Sequence, residues 1–343
     1  MKQIKLAILG LGNVPLALLR FLREPQAKAA LAALKAEVVV TGVTTGRRGN
    51  AINKQGLSLE DLEAVGKEGN VAALNKGPAT ANNLEFINQV PADVLFVATP
   101  AKFPSLDEIK AAFAKGINVT TSNKTPVANH YRELLDEAGR HNVQFRFGAT
   151  VLAGYPPWKQ FFDAVTRPEI SEIQMVVNAT SNNILTLMLE KNMSFEQGVT
   201  EAQKLGIAER DPSDDVDGHD TQKKLAILAN VLMNANLTAD DIPTEGIRNV
   251  TVNDLTLAME EGKWIQLLGR AWKENGKVRA EVKPVKTGNN FFVRMLGTSM
   301  GLYFVTPAAN FGIWLDLGKG SQAIMATAAG VFEDLLSIIK AMQ

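Results

Sequence analysis

Strands alternate with helices along the first third of this chain, and that alternation limits its fold more than any other feature. Lys5 to Leu9 is an apolar run of strand length that ends on a glycine. Val14 to Arg23 reads as a helix with Arg20 and Arg23 on its wet face. Glu37 to Val43, Val94 to Ala98 and Ile117 to Thr121 are further β-rich runs, with Ser105 to Lys115 helical between two of them. Such a pattern predicts parallel strands joined by right-handed helical crossovers. The fold class is therefore α/β, with a doubly wound parallel sheet of the Rossmann type.

The pattern changes further on. Residues 65 to 83 are rich in Gly, Asn and Ala and predict a loop-rich insertion. A boundary falls near residues 140 to 155. Beyond it Ile170 to Asn178 and Val278 to Val285 are strand-like, while Phe195 to Leu205 and Thr221 to Met233 are helical. This is α+β material without a repeat. Ala323 to Met342 closes the chain as an apolar helix, free to return to the first domain. A length of 343 residues suits two cores rather than one.

Composition removes several functions. Lys plus Arg and Asp plus Glu are both 36, so no net field draws the protein to nucleic acid or to an anionic membrane. Neither is expected as a partner. There are no cysteines, which excludes disulfides, thiolate metal sites and a thioester-forming nucleophile. The absence accords with a cytoplasmic location. The start, MKQIKLAILGLG, enters a strand at once, so no secretory signal is expected. No uninterrupted run of about eighteen apolar residues predicts a membrane span. Three histidines, His130, His141 and His219, are too few for a His-rich metal site.

Gly10-Leu11-Gly12-Asn13-Val14 follows the first strand and opens a helix. The first glycine permits a tight turn. The second lets the backbone approach a pyrophosphate at the helix N-terminus. Pro15 stands where a third glycine is usual, and proline is tolerated in the first helical turn. The second strand ends in Thr45-Gly46-Arg47-Arg48, with no acid to meet a ribose 2′-hydroxyl. Arg47 and Arg48 suit a 2′-phosphate instead, which favours NADP over NAD. The competing reading is two solvated loop arginines. Thr99-Pro100 and Ser122-Asn123-Lys124 end two further strands. In a doubly wound sheet such strand ends face the ligand.

The densest chemistry lies between Glu209 and Lys224. Asp211, Asp214, Asp215, Asp217 and Asp220 crowd this stretch. A calcium loop fails, because its twelfth position would be Lys224 rather than glutamate. A solvated acidic turn at a helix start remains open. So does a catalytic set. Asp220 and Lys224 are spaced i,i+4 and share a helix face. A lysine tuned by a carboxylate can take the hydroxyl proton of an alcohol as hydride leaves its carbon. Glu209 and Asp215 would then suit a substrate ammonium group.

These residues resemble the homoserine dehydrogenase family over nearly the whole chain. Glu209, Asp211-Pro212, Asp215-Val216, Gly218, Asp220 and Lys224 stand in the register E-x-D-P-x-x-D-V-x-G-x-D-x-x-x-K. Ser122-Asn123-Lys124-Thr125-Pro126 resembles A-N-K-x-P. Asn178 to Leu185 resembles N-G-T-x-N-x-I-L, and Gly318 to Asp334 is similar to a glycine-rich C-terminal segment. The resemblance implies an NAD(P)-dependent oxidoreductase that interconverts L-homoserine and L-aspartate 4-semialdehyde, in threonine and methionine biosynthesis. It implies catalytic Lys124, Lys224 and Asp220, and substrate binding by Thr180, Glu209 and Asp215. The cofactor would meet Gly10, Gly12, Asn13, Val14, Arg47, Arg48, Thr99, Pro100, Ser122 and Asn123.

The implied organisation is a dinucleotide-binding domain, 1–145, completed by helix 323–343, and an α+β substrate and dimerisation domain, 146–322. A homodimer follows, with a small-molecule substrate and no regulatory domain. The family also has a monovalent cation site. Its backbone ligands would be Val151, Ala153 and Tyr155, but its carboxylate is lost at Gly148, so no bound metal is expected. Leu152, Tyr155 and Ala179 depart from the family lining, which keeps open a related dehydrogenase for another small hydroxy or amino acid. A non-catalytic dinucleotide binder is the remaining alternative.

Overall fold

A computed structural model describes residues 1–103, 105–154, 158–159, 169–288, 291–292, 295–316 and 321–343. The chain divides into two compact units, Met1–Ala164 with Ile324–Gln343, and Val165–Ala323.

The first unit runs β1 (Lys2–Leu9), α1 (Asn13–Phe21), α2 (Pro25–Ala33), β2 (Ala36–Thr45), β3 (Gly49–Ile52), α3 (Leu59–Val65), α4 (Asn83–Gln89), β4 (Val94–Val97), α5 (Leu106–Ala114), β5 (Asn118–Thr121), α6 (Lys124–Arg140) and β6 (Phe145–Arg146). Its sheet has the order β3-β2-β1-β4-β5-β6. All pairings are parallel except β2 with β3. The strand order reverses between β1 and β4. Leu9 pairs with Val97, and Val97 with Thr121, so Gly10, Ala98 and Ser122 leave the sheet at one edge. β4 and β5 are buried along their whole length, as expected where helices cover both faces of a parallel sheet.

Gly10 has φ +97, and a Cβ there would lie 2.6 Å from the Ala98 carbonyl oxygen. Only glycine fits both demands. Pro15 is explained by the helix start. The first α1 amide to bond within the helix is Leu16, which donates to Gly12 O at 3.2 Å. The missing N–H of Pro15 therefore breaks no helical bond.

The C-terminal helix follows the second unit in sequence. From Ile324 onward it belongs to the first unit. Ala328, Val331, Phe332, Leu335, Ile338 and Ile339 are buried in one cluster with Ile4, Ile8 and Leu18. Phe332 packs edge-on against Phe21 of α1 at 5.2 Å between ring centres. By length and composition this helix is apolar enough to cross a membrane, which tempers the membrane reading made from the sequence. A core helix meets the same criterion, and the buried face identifies it as one.

The second unit runs β7 (Glu172–Val176), α7 (Ala179–Lys191), α8 (Phe195–Lys204), α9 (Ser213–Val216), α10 (His219–Met233), α11 (Val252–Glu260), β8 (Trp264–Glu274), β9 (Lys277–Thr287), β10 (Ser299–Val305) and β11 (Phe311–Asp316), before the closing α12 (Ser321–Ala341). Its sheet is antiparallel, in the order β11-β10-β7-β8-β9. The α10 side of this sheet is marked by Gly269, where a Cβ would touch Met175 and Thr221. Gln174, Arg270, Tyr303 and Trp314 follow the opposite pleat and form the other face.

Candidate active site

The residues singled out in the sequence fall in both units. In the first, Gly12 is the N-cap of α1, and Asn13 and Val14 are its first two residues. Gly12 has φ −98, which any residue adopts, and a Cβ there would meet nothing within 4 Å. The fold itself does not demand glycine at this position. The space left open beside the free amides of α1 is what a dinucleotide pyrophosphate needs.

The two arginines separate. Arg48 donates from one terminal nitrogen to Gly66 O at 2.6 Å and from the other to Leu11 O at 2.7 Å. It clamps the turn between the glycines to the end of α3. Arg47 is exposed. It lines a hollow of about 380 Å³ with Thr44, Thr45, Asn50 and Asn82.

At the ends of β4 and β5, side chains hold the loops together. Asn123 Nδ2 donates to Thr99 Oγ1 at 2.9 Å and to Phe103 O at 2.7 Å, while Asn123 Oδ1 caps α6 at Thr125. Pro100 is exposed and Ser122 half-buried. Lys124 is the first residue of α6, at the same sheet edge as Gly10.

In the second unit the helical spacing is realised. Lys224 Nζ lies 2.6 Å from Asp220 Oδ2 and donates to Val177 O at 2.6 Å. Gly218 opens α10 with φ +85, and a Cβ there would sit 2.9 Å from Thr244 Cγ2, so glycine is needed to launch the helix. Asn178 Nδ2 donates to Asp215 Oδ1 at 2.6 Å and to Asp220 Oδ2 at 2.9 Å. Thr180, in the first turn of α7, is buried and also meets the Asp215 carboxylate. Burial raises the Asp215 pKa above the usual carboxylate range, and the negative charge of Asp220 adds to the effect.

The loop bearing these groups is braced from outside. Arg248 forms a two-toothed ion pair with Asp217 and reaches Ser213 Oγ at 3.3 Å. The network thus unites Thr180, Asp215, Asp220 and Lys224. Glu209 is not brought in; it is exposed, on the loop between α8 and α9. Asn178 and Arg248, which complete and brace this network, were given no role from the sequence. Asn178 stood inside a family motif without a role, while nothing local marks Arg248.

The loss at Gly148 has a structural counterpart. A Cβ on Gly148 would lie 2.8 Å from Asp334 Oδ1. Asp334, from α12, is fully buried and accepts from Gly148 N–H at 2.8 Å and Thr120 Oγ1 at 3.2 Å. A carboxylate therefore occupies the space a side chain at 148 would take. The Val151 carbonyl accepts from Gly154 N–H, Ala153 has φ +56, and Tyr155 lies outside the described residues, as does Gly318. Among the described residues no group of three metal-ligating side chains occurs.

A parallel sheet with a Gly-x-Gly turn at its switch point, together with a buried carboxylate–lysine pair, defines a dinucleotide-dependent dehydrogenase. The sequence profile described as homoserine dehydrogenase matches residues 158–336. The homoserine dehydrogenase of Methanocaldococcus jannaschii is 33% identical over 299 residues, covering 86% of this chain and 87% of that protein. An NAD(+)-dependent homoserine dehydrogenase of Pseudomonas canavaninivorans is 31% identical, covering 99% and 95%. A hyperthermophilic archaeal homoserine dehydrogenase solved in complex with NADPH superposes with a TM-score of 0.81 at 27% identity, covering 99% and 98%. The chain belongs to the homoserine dehydrogenase family.

Proposed function

We propose that this protein interconverts L-homoserine and L-aspartate 4-semialdehyde with NADP, using Lys224 to move the hydroxyl proton. The observation that carries the reading is the Lys224–Asp220 pair at 2.6 Å, anchored to the Val177 carbonyl. An ammonium has three N–H donors. These two acceptors engage two of them, which leaves the third to protonate the substrate carbonyl oxygen in semialdehyde reduction, where bound reduced cofactor would supply the hydride. In the oxidation direction Lys224 Nζ starts as the neutral amine and takes the hydroxyl proton back. Asp220 orients that nitrogen and balances its charge. Lys124, at the strand edge beside the cofactor turn, is the second proton-handling lysine. Thr180 and Asp215, which meet in this network, bind the substrate ammonium group, without the Glu209 that the sequence also suggested.

The test is reduced-nicotinamide absorbance with purified protein, L-homoserine and NADP or NAD. Saturable turnover supports the reading. A protein that binds cofactor and reduces none overturns it, and redirects the search to other small hydroxy and amino acids.

Arg47 is the residue we assign to the 2′-phosphate. Arg48 spends donors on two backbone carbonyls, whereas Arg47 is exposed at the hollow after β2. Arg47→Ser is expected to lower kcat/KM for NADP by about 10- to 100-fold, the worth of one charged hydrogen bond. The value for NAD should stay within about twofold. Equal loss with both cofactors refutes the assignment.

We further propose a cytoplasmic homodimer formed through the face of the antiparallel sheet opposite α10, which Phe291, Phe292 and Met295 cover in part, around Val176 and Gly301. Trp314 is 59% exposed on that face. Large aromatic residues so exposed favour an interface. Trp314→Glu is expected to shift the sedimenting species from dimer to monomer. A wild-type monomer refutes the proposal.

A further inference from the structure

We infer that Asn178 is a positioning residue for this reaction: its amide holds Asp215 and Asp220 side by side, and so fixes the carboxylate that orients Lys224. The inference rests on the proton-transfer role proposed above for Lys224.

The amide orientation is determined by its surroundings. Asn178 Oδ1 accepts the Ser181 backbone N–H at 2.8 Å and caps α7. Its nitrogen must therefore be the group that faces the two acids. One N–H serves Asp215 at 2.6 Å and the other serves Asp220 at 2.9 Å. Asn178 is 4% exposed, so water cannot stand in for it. Two carboxylates gathered in such a place repel each other. The shared amide joins the Lys224 cation in keeping both there.

The neighbouring backbone tightens the arrangement. Val177 supplies the carbonyl that accepts from Lys224. The dipeptide at the end of β7 thus grips the lysine through a carbonyl and its carboxylate through an amide. These contacts span 37 to 47 residues of sequence. A shift of this dipeptide moves every member of the network together.

Asn178→Asp separates positioning from capping. Aspartate caps a helix as well as asparagine does, but when ionised it donates to neither acid. Wild type and variant are compared in semialdehyde reduction across pH 6 to 9, with NADP affinity read separately by fluorescence. The expected result is kcat lower by about 100-fold at the alkaline end, the scale of a misplaced catalytic group. NADP affinity is unchanged. The deficit shrinks as pH falls, because a third buried carboxyl takes up a proton readily and regains one donor.

A capping role alone predicts an unchanged kcat and an unchanged pH profile, and that outcome overturns the inference while leaving the reaction intact. An inactive wild type overturns the underlying reading and the inference with it. If the aspartate variant does not fold, Asn178→Ser, which keeps a capping oxygen and lacks the amide, is judged by kcat at unchanged NADP affinity: a fall of similar size supports the inference and an unchanged kcat overturns it.

Discussion

Lys224→Ala is expected to lower kcat by about 100- to 10,000-fold while leaving NADP affinity unchanged, because general acid–base groups contribute on that scale. The side chain is half-buried and held at two points, Asp220 Oδ2 and Val177 O. Removing it also leaves Asp220 as a 6%-exposed carboxylate without its cation. Removing the cation of a buried ion pair costs several kcal/mol, even with the Asn178 amide still donating to the carboxylate. Some loss of thermal stability should therefore accompany the loss of turnover. Lys224→Arg separates the two effects. It retains the charge, yet arginine does not release its proton in proteins. Stability near wild type with turnover as low as in the alanine variant is the expected pattern. Recovery of activity in the arginine variant would show that charge alone matters, and would refute proton transfer by Lys224.

How much of this was legible beforehand depended on distance along the chain. β1, β2, β4, β5, α1 and α5 were each read from local runs, because a parallel sheet covered on both faces writes itself as short apolar stretches. β3 and β6 escaped notice. They are four and two residues long and take their place only by pairing with β2 and β5. α7 escaped for another reason. Its Asn182 is 2% exposed and donates to the carbonyls of Met295, Gly297 and Ser299. Polar residues buried to hold a loop erase the amphipathic pattern that marks a helix.

The site divides in the same way. Asp220 and Lys224 were legible because a helix brings i and i+4 together. The Asn178 bridge joins residues 37 and 42 positions apart, for which spacing carries no signal. The arginines after β2 looked equivalent in sequence. Only the carbonyls of Leu11 and Gly66 distinguish Arg48 as a clamp. Glycine at 148 read as a plain loss, since the carboxylate that fills the space comes from Asp334, 186 residues away.

That buried carboxylate carries the second large effect, on stability rather than turnover. Burial pushes the Asp334 pKa up to about 6, against bonds from Gly148 N–H and the Thr120 hydroxyl and the charges of Arg146 and Lys159, which pull it down. An unfolded aspartate titrates near 4. The folded state therefore holds the proton more tightly. The stability this contributes is complete below about pH 4 and is lost as pH rises through about 6. Two pKa units correspond to about 3 kcal/mol. Asp334→Asn cannot titrate, so the stability of wild type relative to this variant should fall by about 3 kcal/mol between pH 4 and pH 7. Urea unfolding at intervals across that window measures the difference directly. Parallel curves for the two proteins would mean that Asp334 keeps its ordinary pKa in the fold, and that Arg146 and Lys159 fully offset its burial.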